Sequence, residues 1–325
     1  MDLYRPVVIG SLVLPGNLFL APVAGYSDRA FRSVCIDRGA DFTCTEMVSS
    51  EALTRNRVRT EPLLARAENE TRYAVQIFGA DPDVMCRAAL LLAPRRPDAV
   101  DINCGCPVPK VVKTGAGSAL MRSPETLGRI VEAVVRASRE TLGNAPVTVK
   151  LRSGWDAASQ NYRECARIAV EAGAALVCLH PRTRAQGYSG VSDWTHIADL
   201  VSRLPVPVAG SGDLFNPPDA LRMLRETGCA AVMFARGALG NPFIFAATRA
   251  LLRGEDRQQP APREKLETAF RQLILLARDL GEKNACREMR KQFCAYTKGI
   301  TGGAALRNRL IHADTIEEYR LIIGV

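Results

Sequence analysis

The feature that most constrains this chain is a repeat, running from residue 18 to about 252, of short β-rich apolar runs each followed by an amphipathic helical stretch. Eight such runs are readable: Leu18–Ala21, Phe42–Thr45, Tyr73–Phe78, Ala99–Asn103, Val147–Leu151, Leu176–His180, Val206–Gly210 and Ala231–Phe234. Strands separated by helices lie parallel, because each helix returns the chain to the edge where the strand began. Eight repeats predict an α/β protein built on a (β/α)8 TIM barrel. Local punctuation agrees: Asp28 caps a helix that buries Phe31, Val34 and Cys35 and stops at Gly39, and Ser123-Pro124-Glu125 opens another. The first ten to fifteen residues, with Pro15-Gly16, read as a small hairpin under the barrel floor.

Composition shifts after the barrel. A catalytic domain over 1–253 is expected to end at the polar linker Gly254-Glu255-Asp256-Arg257-Gln258-Gln259-Pro260-Ala261-Pro262, followed by a small helical domain over 263–325. There Leu266, Phe270, Leu273, Ala277 and Leu280 fall at helical spacing, and Thr315 with Glu318 predicts a capping box. From Glu282 to Leu310 seven Lys/Arg stand against two acids, with Phe293 and Tyr296 interleaved.

The chain is 325 residues long, 47% hydrophobic and +9 in net charge. No apolar run approaches the roughly 20 residues of a spanning helix, and the opening MDLYRPVVIG lacks a charged and then apolar leader. A cytoplasmic protein without a membrane partner is expected. Ten cysteines without paired spacings argue for reduced thiols, and Cys104-Gly-Cys106 has no second pair with which to hold a metal. The positive balance favours a polyanionic partner. Nothing demands more than a monomer.

Barrel chemistry gathers at the C-terminal ends of the strands. Read in order, those ends carry Pro22-Val23-Ala24, then Glu46-Met47, Gln76, Asn103 with Cys106, Lys150 with Arg152, and His180 with Arg182 and Arg184. Each could be structural alone; six consecutive polar ends point to a shared site. Gly210-Ser211-Gly212-Asp213 and Ala235-Arg236-Gly237 offer backbone N–H groups and a cation where barrels commonly hold phosphate. In DINCGCP, Asn103 and Cys106 stand at a strand end, although a small thiol is also a common core filler.

APVAGYSDRAFR, VQIFGADP, DINCGCPVPKVVKTGAGSALM, VKLRSGW, LHPRTRAQGYSGVSDW, GSGDLF, ARGALGNPFIF and the tail MRKQFCAYTKGITGGAALR together resemble the tRNA-dihydrouridine synthase family, leaning toward its bacterial B-type branch. Two residues depart from the family pattern: Ser211 replaces the usual Asn, and Ala235 an often-found Gly. The resemblance implies an FMN-dependent oxidoreductase that reduces particular uridines of tRNA to 5,6-dihydrouridine, with NADPH as reductant. It implies FMN held by Pro22, Val23, Ala24, Gln76, Lys150, His180, Gly210, Ser211, Gly212, Asp213, Ala235, Arg236 and Gly237. Cys106 is then the general acid that protonates carbon-5 while hydride from the flavin reaches carbon-6. Asn103 and Arg182 are candidates for the uracil edge, and Arg287, Arg290, Lys291, Lys298 and Arg307 for tRNA phosphates. The residues alone leave three rivals: an FMN barrel acting on a small molecule such as dihydroorotate or an enone, an aldolase using Lys150 as a Schiff base, and a barrel that only binds RNA.

Overall fold

The computed structural model describes residues 3–55, 60–256 and 259–325, so Arg257 and Gln258 of the expected linker lie outside the described residues. Eight parallel strands close a barrel: β3 (Leu18–Leu20), β4 (Phe42–Cys44), β6 (Tyr73–Phe78), β7 (Ala99–Cys104), β8 (Val147–Gly154), β9 (Leu176–Thr183), β10 (Val208–Ser211) and β11 (Ala231–Phe234). Closure comes from the β4–β6 pairing, with the two-residue strand β5 (Val48–Ser49) added alongside β6. The strands β1 (Val7–Ile9) and β2 (Leu12–Leu14) form the expected hairpin, which turns at Gly10-Ser11. Gly10 takes the left-handed φ of +56° that such a two-residue turn requires.

Alternation along each strand sorts residues into two cores. Tyr73, Val75 and Ile77 of β6, Val100, Ile102 and Cys104 of β7, and Val147, Val149 and Leu151 of β8 face outward and pack under the surrounding helices. The inward set at the floor is Phe19, Phe42, Ala74, Ala99, Cys178, Ala209 and Ala231, sealed from below by Val7, Ile9, Leu12 and Leu14 of the hairpin. The next inward positions up the strands are Gln76, Asp101, Asn103, Thr148, Lys150 and His180, so the hydrophobic parity of each strand aims its polar residues at the barrel mouth.

Around the barrel run α1 (Arg29–Asp37), α2 (Ser50–Arg55), α3 (Pro82–Leu90), the short α4 (Pro109–Val112), α5 (Pro124–Thr141), α6 (Tyr162–Glu171), α7 (Thr195–Arg203), α8 (Pro217–Thr227) and α9 (Ile244–Arg253). Asp28 caps α1 by accepting from the Phe31 N–H, as the sequence predicts. Four more helices follow: α10 (Pro262–Leu280), α11 (Glu282–Tyr296), α12 (Gly303–Leu310) and α13 (Ile316–Ile323), the last opened by the Thr315/Glu318 capping box. Two expectations are corrected here. The buried face of α10 is Thr268, Ala269, Gln272, Leu273 and Leu276, while Leu280 is 40% exposed, because this helix packs on both α1 and α11. Phe293 and Tyr296 are fully buried: Phe293 stacks on Tyr319 with centroids 4.7 Å apart, and Tyr296 donates to Gln272 Oε1 at 2.9 Å. They are core residues, which leaves the basic side chains without interleaved aromatics.

Candidate active site

The barrel mouth encloses a cavity of about 450 Å³, within the range of roughly 300–1,000 Å³ usual for small-molecule sites. Its wall combines Pro22, Val23 and Ala24 after β3, Gln76, Asn103, Cys106, Lys150, His180, the loop Ser211–Asp213, and Ala235–Gly237. Of the cofactor positions read from the sequence, Gly210 alone lies beneath the wall, packed against Met223, Ile197 and Cys229. The two thiols of DINCGCP share the outward parity of β7 and separate only because the strand ends at Cys104. Cys104 is fully buried in the outer core; Cys106, past the end of β7, is half-buried on the cavity wall.

The Cys106 loop is fixed by a chain of polar contacts from inside the barrel. Asp101 accepts from Thr148 Oγ1 and, at 2.6 Å, from Gln76 Nε2. Gln76 Oε1 accepts from Asn103 Nδ2 at 2.8 Å, and Asn103 Oδ1 accepts from the Cys106 and Gly105 N–H groups at 2.9 and 3.2 Å. On the other side Arg152 donates to the carbonyls of Gly105, Thr183 and Gly187 at 2.8, 2.9 and 2.8 Å. Asn103 and Arg152 are therefore positioning residues for the thiol.

Arg182 is more strongly committed to its own fold. It is 2% exposed and absent from the cavity wall, because its guanidinium serves Ser189 O, Gly190 O, Asp213 Oδ2 and His180 Nε2. Its work is to brace the loop after β9 against the loop after β10. Asp213, at a left-handed φ of +55°, also accepts from Ser192 N–H and, at 3.4 Å, from Arg236. Tyr188, 58% exposed and given no role by the sequence motifs, joins the wall with Arg236 over its ring at 4.6 Å. An aromatic in a polar loop gives no periodic signal, so the sequence could not place it.

Electrostatics make the cavity positive. Burial first, then Lys150, Arg152, Arg182 and Arg236, push His180 down to about 2, so its ring is neutral at physiological pH. Burial raises Cys106 above the ordinary thiol range, with the Val108 backbone, Arg152 and Lys150 pulling back, so the group is a thiol and not a thiolate. At the β10 and β11 ends the backbone is packed too closely against neighbouring loops to carry side chains, which leaves main chain on the cavity wall. A Cβ on Gly212 would lie 2.2 Å from Ser192 Oγ, a buried hydroxyl without a partner among the described residues, and a Cβ on Gly237 would lie 2.1 Å from Leu214 O. A cationic wall, glycine-lined loops and exposed Arg236 fit a flat ligand carrying a phosphate.

The proposed phosphate-binding residues of the tail differ in how committed they are: Arg287, Arg290 and Lys291 fall at one-face spacing on α11, but their partners differ. Arg287 and Lys298 are exposed. Arg290 pairs with Asp314 at 2.6 Å, and Arg307 turns inward toward Thr297 O. Lys291 pairs with Glu288 and lies 5.0 Å from the ring centre of Tyr26, itself part of the cavity wall, so α11 reaches the mouth.

The family model described as dihydrouridine synthase (Dus) matches residues 19–321. A probable tRNA-dihydrouridine synthase of Treponema pallidum is 51% identical, covering 99% of this chain and 96% of its own length. The tRNA-dihydrouridine synthase B of Pasteurella multocida is 33% identical over 97% of this chain and 93% of its own. Among solved structures, an old yellow enzyme homologue from Zymomonas mobilis superposes with a TM-score of 0.56 at 13% identity, covering 82% of this chain and 96% of that one. A 2-naphthoyl-CoA reductase complex gives 0.60 at 13% identity, covering 78% and 52%. At such identities the structural likeness speaks for the barrel fold alone.

Proposed function

Since this chain belongs to the dihydrouridine synthase family, we propose that it is an FMN-dependent oxidoreductase that reduces uridines of tRNA to 5,6-dihydrouridine. The observation that carries the reading is the Cys106 thiol, protonated by burial, on the wall of a cationic cavity. We place the flavin ring against Pro22–Ala24, Gln76, Lys150 and His180, and its phosphate against Ser211–Asp213 and Arg236-Gly237. When bound, the flavin supplies to carbon-6 of the base a hydride drawn ultimately from NADPH.

The chain's own residues do the rest. Lys150 offsets negative charge on an electron-rich ring. Neutral His180 receives Arg182 on Nε2, which leaves Nδ1 as the protonated nitrogen and a donor to a bound ligand. Cys106 hands its proton to carbon-5, where negative charge would otherwise develop, and recovers one from solvent. Gln76, Asn103 and Arg152 keep that thiol at the wall and do not exchange protons. The target base must leave its stack, at a cost of a few kcal/mol, and contacts along the tRNA backbone offset that cost. We assign those contacts first to Arg287, Lys291 and Lys298, and divide the chain into a catalytic region over 1–253 and a tRNA-binding region over 263–325.

The test is NADPH oxidation by the purified protein with unmodified tRNA, followed by mapping of dihydrouridine by mass. Oxidation that requires tRNA and leaves a two-dalton gain on a uridine supports the reading. Oxidation indifferent to tRNA overturns it in favour of a small-molecule substrate.

A further inference from the structure

The catalytic face carries a charged aromatic cluster outside the cavity. Trp155 follows β8 directly, and the ends of β8 and β9 stay joined beyond the barrel: Arg184 N–H donates to Gly154 O and Ala185 N–H to Trp155 O, each at 2.9 Å. This brings the Arg184 guanidinium to 4.6 Å from the indole centre. Arg122, which ends the 3-10 segment Gly117–Arg122 behind the Cys106 loop, comes to 4.9 Å from the same ring. Three separate loops thus converge on one indole.

Neither guanidinium has a carboxylate partner among the described residues. Nearby, by contrast, Arg163 and Arg203 pair with Asp199, and Arg167 pairs with Glu171. Asp156, next in sequence, spends its carboxylate on Ala158 and Ser159 of its own loop. Among the described residues Glu164 is the one acid lining the depression of about 420 Å³ beside the indole. Lys110 and Lys113, exposed on and just after α4 in the Cys106 loop, add two more cations without a carboxylate partner among the described residues. Two like charges held against one ring repel each other, so the arrangement is best satisfied by an anion that bridges them.

The strand order fixes where this cluster stands. In the closed barrel β8 lies four strands from β3 in either direction, directly across the mouth. The helix α1 that follows β3 is where α10 docks, with Arg38 donating to Thr268 at 2.7 Å. The helical region and the Trp155 cluster therefore stand at opposite strands of the barrel, with the cavity between them.

We infer that Arg122, Trp155 and Arg184 form a second RNA-binding surface that holds tRNA phosphates on the rim opposite the helical region; this rests on the tRNA reading above. Stacking on the indole orders both guanidiniums and leaves their N–H edges free for phosphate oxygens, so Trp155 is a positioning residue. Backbone held on both sides of the mouth keeps an unstacked uridine over the cavity.

The experiment uses flavin-loaded protein and unmodified tRNA, with Arg122→Gln, Arg184→Gln, the double variant and Trp155→Leu, titrated across a salt series. The double variant is expected to bind tRNA on the order of tenfold more weakly, with the slope of log Kd against log salt shallower by about one for each contact removed. KM for tRNA rises while kcat, flavin absorbance and Tm hold. Trp155→Leu weakens binding with little change in slope, and Arg184→Lys restores the slope. An unchanged affinity and slope in the double variant overturns the inference, as does a fall in Tm or flavin content that accounts for the whole loss. If the unaltered protein neither binds nor reduces tRNA, the functional reading itself fails and this surface with it. If the unaltered protein does both and the double variant matches it, the surface alone fails.

Discussion

At the scale of single residues the site is governed by burial acting in opposite directions on two groups. Desolvation favours the neutral form of each, which raises Cys106 and lowers His180 to about 2. A general acid works only while protonated, so its rate falls as pH rises through its pKa. Single-turnover uridine reduction is therefore expected to stay level through neutrality and decline only above the ordinary thiol value of about 8.5, as a stopped-flow pH series would record. A decline that begins below pH 7 would assign proton donation elsewhere. His180 contributes to stability with the opposite dependence: the unfolded ring takes a proton below about 6.5 and the folded ring does not, so stability drains as pH falls through that range. Asp28 and Asp101, both pushed up to about 6 by burial, bind protons more readily when folded and offset part of that loss.

At the scale of elements, the parity of a strand made much of the site legible. Outward Val75, Ile102 and Val149 require inward Gln76, Asn103 and Lys150, and that follows from the sequence alone. What could not be read were commitments made by loops. Arg182 looks like a free cation in H-x-R-T-R until the Ser189 and Gly190 carbonyls fold back on it, and Asn103 looks like a substrate contact until its oxygen is seen to receive two N–H groups. The stripe on α10 shifted because that helix serves two partners, and single-face periodicity describes only one. A contact between elements gives a sharper test. Gly240, at φ +66°, follows the Arg236 loop, and a Cβ there would lie 2.4 Å from Ala295 Cβ and 2.6 Å from Tyr296 N in α11. Gly240→Ala combines a left-handed strain with a backbone clash, an expected loss of about 2–4 kcal/mol. Calorimetry should show Tm lower by several degrees; an unchanged Tm would mean that the Arg236 loop and α11 do not meet in this way.

At the scale of the whole molecule, the barrel supplies a cationic cavity and the appended helices supply charge at its edge, and the account requires both in one reaction. Reversing Arg287 and Lys298 to Glu, two exposed positions away from the cavity, is expected to weaken tRNA binding about tenfold or more at moderate salt, and less as salt rises. Flavin absorbance should not change, and filter binding across a salt series checks both. Among the described residues no helix is long and apolar enough to cross a membrane, and all ten cysteines are free, so Cys106 is available as a thiol. The most direct measurement is a single turnover: protein with its flavin pre-reduced is mixed with unmodified tRNA, and dihydrouridine is quantified by mass for the unaltered chain and for Cys106→Ala. The account predicts product in the first and a rate about 10²–10⁴-fold lower in the second, with flavin and tRNA binding equal in both. Equal rates in the two proteins would contradict it.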